Sequence, residues 1–173
     1  MSNETDSVQS PDYFQSLIAA RAHLPLPGQS DFCRGLGRDA GYAWLNFGGL
    51  SLEAAYQKFL EVPDTYQEDF MWMFPPAFEY YYPVVDRYLR SANVADDFHR
   101  FNDGCQAAIL GCCIESQFHW AEGLRPPDYV VTEIRALARF VQLHLPRFSA
   151  DRIEQERIGA SWTKLEETLS AII

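Results

Sequence analysis

At 173 residues with an apolar fraction of 47%, the chain is long enough to bury one ordinary hydrophobic core, and its composition excludes bulk disorder and collagen-like repeats. Its 24 acidic residues outnumber its 14 lysines and arginines, giving a formal charge of −10 that repels phosphate backbones and anionic membranes and would steer a basic partner. No uncharged apolar run approaches the ~18 residues of a membrane span, and the polar start MSNETDSVQS lacks the basic and apolar regions of a signal peptide, so a cytoplasmic protein is expected.

Residues 1–9 read as a flexible N-terminal tail and 10–173 as a single α-helical domain. Ser10-Pro11-Asp12 is a helix start: a serine cap, a proline at the first helical position and an acid favoured by the dipole. Phe14, Leu17 and Ile18 mark its apolar face, and Pro25 closes the segment. Residues 25–50, with the glycine-rich run RGLGRDAGYAWLNFGG, read as a long irregular connection anchored by Tyr42, Trp44, Leu45 and Phe47. Gly35, Gly37 and Gly41 lack the spacing and preceding strand of a dinucleotide loop, and no GK[ST] follows them.

Ser51 caps the next helix, whose buried stripe is Leu52, Ala55, Tyr56, Phe59 and Leu60, and Pro63 ends it. Thr65 and Glu68 form a capping-box pattern, so a helix restarts there and runs through Phe70, Met71 and Phe74 to Pro75-Pro76. Three further helices are expected. Residues 96–122 carry Phe98, Phe101, Cys105, Ile109 and Cys112; 127–145 carry Val130, Ile134, Leu137, Val141 and Leu145; 150–172 carry Ile158, Trp162, Leu165, Leu169 and Ile172. Strand alternation appears nowhere over a useful length. The fold class is mainly α, a single-domain helical bundle with a proline-kinked aromatic helix and a long irregular connection.

The aromatic helix is PPAFEYYYPVVDRYLR. With Phe78 at the origin and ~100° per residue, Tyr81, Tyr82, Val85, Tyr88 and Leu89 fall within about 80° of it. Glu79, Pro83, Asp86, Arg87 and Arg90 fall on the other side, from about 80° to about 180°, so the stripe keeps phase through Pro83 and that proline is expected on the solvent side. Tyr80, at about 200°, sits among the polar positions. No lysine or arginine occurs between Phe59 and Asp86, which disqualifies a base-stacking platform. The acids there, Glu61, Asp64, Glu68, Asp69 and Glu79, suit the attraction of a basic protein. Tyr80 then either anchors that partner or covers a neighbouring loop.

The same stretch, FMWMFPPAFEYYYPVVDRYL, resembles a segment of a family of small, mostly bacterial proteins of unknown function. The shared pattern is an apolar pair, a proline-containing turn, A/G-F-x-Y-Y-L-P and an aliphatic helix. Phe74, Pro76, Ala77, Phe78, Tyr80, Tyr81 and Pro83 match it, and Tyr82 replaces the leucine. The match spans about residues 70–90 and transfers no catalytic residue. The resemblance implies a bacterial cytoplasmic protein, of a kind that includes immunity partners of toxins.

Recognisable chemistry is sparse. Cys33, Cys105, Cys112 and Cys113 offer no CxxC spacing, and adjacent cysteines do not readily pair, so small buried thiols are expected. Glu115 shares a helix stripe with Cys112 and His119, which reads either as a nucleophile or metal cluster or as a helix-edge ion pair beside a buried thiol. His99 and Asp103 are four apart on one helix, and Asp96-Asp97 serves as a helix start. No HExxH, GxSxG or SxxK occurs. The expectation is a binding protein without catalytic, cofactor or metal residues, contacting a basic protein partner through Glu61, Asp64, Glu68, Asp69, Glu79 and Tyr80, with no role for nucleic acid or membrane. Two alternatives stand beside it: an enzyme with an anion site in the loop Arg34-Gly35-Leu36-Gly37-Arg38-Asp39, and a homodimer that buries the aromatic segment.

Overall fold

The computed structural model describes residues 11–32, 37–93, 105–120 and 124–172. The expected tail, the Ser10 cap, Cys33, the Arg34–Leu36 part of the proposed anion loop, Asp96-Asp97, Phe98, His99, Phe101 and Asp103 lie outside the described residues. Among those described, eight α-helices and no strand occur: α1 (Pro11–Ala20), α2 (Gly37–Phe47), α3 (Leu52–Glu61), α4 (Pro63–Tyr66), α5 (Pro75–Ser91), α6 (Cys105–Ser116), α7 (Asp128–Leu143) and α8 (Arg152–Ala171). A 3-10 segment, Gln67–Trp72, links α4 to α5. The protein is therefore mainly α.

The aromatic helix α5 is the axis of the fold. Pro75 occupies its first turn after an extended Phe74, and Phe78, Tyr81, Tyr82, Val85 and Leu89 are fully buried. The side expected to face solvent is also covered, because α1 and α7 pack there while α3 packs on the other flank. Pro83, Asp86 and Arg90 are consequently buried, a correction to the two-faced pattern. The polar residues on that side satisfy one another: Arg90 donates from Nε to Asp86 at 2.7 Å, and the Tyr82 hydroxyl donates to the same carboxylate at 3.3 Å.

Pro83 has no N–H to give the carbonyl of Glu79, one turn earlier. Arg21, at the end of α1, donates its Nε to that carbonyl at 2.5 Å. The same guanidinium donates to the Leu17 carbonyl and to both carboxylate oxygens of Glu133 on α7, at 3.2 and 2.6 Å. One buried arginine thus fills a proline's gap and fastens α1 and α7 to the central helix.

Helix α8 packs against α6 and α7. Trp162 of α8 donates its indole N–H to the Ala107 carbonyl of α6 at 2.8 Å, and Ser161 donates to Ala108 at 2.7 Å. Gly111 makes room for this approach: a Cβ there would lie 2.5 Å from Ser161 Oγ and 3.0 Å from Trp162 Nε1. Arg147 donates to the carbonyls of Arg90 and Ala92, closing the C-terminus of α5.

Two expectations need correction. The connection expected to be irregular contains α2, on which Ala40, Ala43 and Phe47 recur at helical spacing and are fully buried. Its proposed anchors divide: Phe47 is buried and Trp44 half-buried, but Tyr42 and Leu45 are 58% and 75% exposed. The helix expected from Thr65 is instead the short α4, begun by Pro63, followed by 3-10 turns.

Candidate functional site

A groove of about 530 Å³ opens between α2 and the chain from α4 to the 3-10 segment. Asp39, Tyr42 and Asn46 come from α2, Tyr66 from α4, and Glu68, Asp69 and Trp72 from the 3-10 segment. Among the described residues no lysine, arginine or histidine lines it.

The core fixes both walls. The Tyr81 hydroxyl donates to the Phe47 carbonyl at 2.6 Å and engages that of Leu50 at 3.0 Å, while Gly49, with φ of +75°, turns the chain after α2. The opposite wall is pinned by buried Phe70, whose ring packs edge-on against Phe59 and tilted against Phe47. Fully buried Gln117, beyond the end of α6, donates to the carbonyls of Phe70 at 2.8 Å and Met71 at 3.3 Å. Those bonds satisfy backbone acceptors that 3-10 turns leave over.

Asp69 is the unusual member. It is only 7% exposed, Asn46 donates to its Oδ2 at 2.8 Å, and among the described residues its Oδ1 accepts no hydrogen bond. Burial, opposed by the Asn46 hydrogen bond and assisted by the charge of Glu68, raises its carboxyl to about 6. The other buried acids contrast with it. Asp86 has Arg90 and Glu115 has Lys164 and His119, and of the half-buried acids Glu133 has Arg21 and the Glu79 carboxylate takes the Tyr129 hydroxyl. Asp69 faces a groove that no cationic side chain lines among the described residues.

The six expected contact residues do not form one face. Glu68 and Asp69 line the groove, and Asp64 is exposed one turn before them. Glu61 is exposed but bonded to Lys58 at 2.8 Å, and that ammonium lies 5.0 Å over the Tyr66 ring. Glu79 and Tyr80 are half-buried, with the Tyr80 ring edge-on to Tyr81 at 4.9 Å. Sequence reasoning missed Asn46 and Trp72 as site residues, named Asp39 only in the alternative anion loop, and assigned Tyr42 to the core. The available signal was the Ala40, Ala43, Phe47 spacing, which puts Asp39, Tyr42 and Asn46 off the buried stripe.

The second expected cluster is a structural tie. Glu115 accepts from His119 Nε2 at 2.5 Å, Thr168 at 3.0 Å and Lys164 at 3.4 Å. Burial works to raise its carboxyl, but the His119 and Thr168 hydrogen bonds and the charges of His119 and Lys164 hold it below its ordinary value. Cys113 is buried as expected, whereas Cys112 is exposed, with its sulfur 3.4 Å from Ser161 Oγ. No group of three metal-ligating side chains occurs among the described residues. No family model matches the chain, and neither a curated protein nor a solved structure matches it.

Proposed function

We propose that this is a binding protein that masks a basic element of a protein partner in the groove between α2 and the 3-10 segment. The observation that carries this reading is Asp69: a largely buried carboxylate served by one hydrogen bond, from Asn46, and with no ion-pair partner among the described residues, in a groove that also holds Asp39 and Glu68 and three aromatic side chains. A buried charge lacking its partner is costly, and a cation supplied by another molecule relieves that cost. The chain's charge of −10 favours encounter with such a partner. The most concrete version is an immunity protein or antitoxin in a bacterial cytoplasm, acting by steric occlusion of a basic toxin surface.

The test takes the protein encoded by the adjacent gene as the partner and measures association at low and high salt. Replacing exposed Asp39, Asp64 and Glu68 together by lysine is expected to slow association about tenfold and flatten its salt dependence, with the helical spectrum unchanged. Association as fast as the wild type, with the same salt dependence, would remove this surface from the interface.

A further inference from the structure

We infer that the group the groove receives is the guanidinium of an arginine side chain presented by the partner. This rests on the reading of the groove as a site for a basic protein and narrows it to one chemistry.

Three features select the guanidinium. The Oδ1 of Asp69, with the carboxylates of Glu68 and Asp39 from two different elements in the same groove, suits a cation with several N–H donors. A guanidinium has five, whereas an ammonium is a compact point charge. The walls include Tyr42, Met71 and Trp72, and Tyr66, whose ring already carries the Lys58 ammonium at 5.0 Å, leaving Tyr42 and Trp72 as the rings open to a visitor. A weakly hydrated, flat cation stacks on such rings, while a strongly hydrated ammonium must give up its water to enter. Tyr42 and Leu45, one turn apart on α2 and the most exposed large apolar side chains of that helix, offer contact surface beyond the charged group. That surface suits a side chain carried on a polypeptide better than a free amine.

The titratable groups around Asp69 are Asp39 of α2, Tyr66 of α4, Glu68 beside it and buried Cys113 of α6. Lys58 of α3 lies over the Tyr66 ring at 5.0 Å but is paired with Glu61, and among the described residues no cation lines the groove itself. The guanidinium therefore meets an acid that is partly protonated in the mildly acidic range, and its entry releases that proton.

The test is an NMR titration of the full 15N-labelled chain with capped Leu-Arg-Leu, Leu-Lys-Leu and Leu-citrulline-Leu peptides and with agmatine. The arginine peptide is expected to shift the Trp72 indole and the amides of residues 66–72. It should bind at least about fivefold more tightly than the lysine peptide or agmatine, and the citrulline peptide should leave the groove signals in place. Lowering the pH from 7.5 to 5 should weaken it about tenfold. Asp69→Asn and, independently, exposed Glu68→Gln should weaken it, and Glu156→Gln on the outer side of α8 should not. Equal binding of lysine and arginine peptides overturns the guanidinium inference and leaves the basic-partner reading standing. Agmatine binding as tightly as the arginine peptide overturns the partner-borne side chain. Groove signals unmoved by every cationic probe overturn both.

Discussion

Asp69 costs the free protein stability. Its carboxyl is raised from an unfolded value near 3.8 to about 6, so the folded state binds more protons than the unfolded state between those values. This group's contribution to stability therefore falls as pH rises from 4 to 6 and stays low above that. Asp69→Asn keeps the side-chain size, and Asn46 can turn its amide to accept instead of donate. The expected outcome, from urea unfolding across pH, is a gain of about 1–2 kcal/mol at pH 7.5 that shrinks as pH falls from about 6 to about 4. A variant more stable than the wild type that has lost its ligand is the mark of a residue kept for function.

Within the helices, the junction of Arg21 with Pro83 offers a test that no single substitution gives. Arg21→Met leaves the Glu79 carbonyl and the Glu133 carboxylate unserved and should destabilise by roughly 3 kcal/mol. Pro83→Ala restores an N–H for that carbonyl, so the cost of Arg21→Met should be smaller in the Pro83→Ala background. A double-mutant cycle in urea measures the coupling, and additivity would show that the arginine does not stand in for the missing amide. The elements also show what was legible. α1, α3, α7 and α8 follow from apolar spacing, and the Ser51 cap accepts from the Ala54 amide at 3.3 Å as its position implies. α2 escaped because Gly37 and Gly41 within it, and Gly48 just after it, read as loop, although Ala40, Ala43 and Phe47 keep phase. The buried polar side of α5 escaped for a different reason. Asp86 and Arg90 read as surface until a second helix is known to cover them, and periodicity along one helix cannot report its neighbours. For the site, Glu68 and Asp69 were legible as an acidic pair. Their meeting with Asp39, Tyr42 and Asn46 was not, since it depends on how α2 returns to the 3-10 segment.

At the scale of the molecule, 24 acids against 14 basic residues leave self-repulsion across the surface, with the cationic side chains Arg21 and Arg90 committed to the interior. Salt screens that repulsion more than it weakens the buried pairs. Thermal unfolding at pH 7.5 is thus expected to shift upward between low and physiological ionic strength, by an amount worth about 1 kcal/mol. A downward shift would mean that exposed pairs such as Arg87 with Glu53 outweigh the net charge. Among the described residues no helix is long and apolar enough to cross a membrane.

The clamp that Gln117 places on the carbonyls of Phe70 and Met71 bears on which partners can compete for the groove. A floor already held in place loses little freedom when occupied, so the entropy lost on binding falls almost wholly on the visitor. If the groove takes a basic partner as proposed, then among partners of equal charge those that present the basic group from a stiff turn or helix should bind more tightly than those that carry it on a loose tail. Discrimination by rigidity would then be built into a side chain that never meets the ligand.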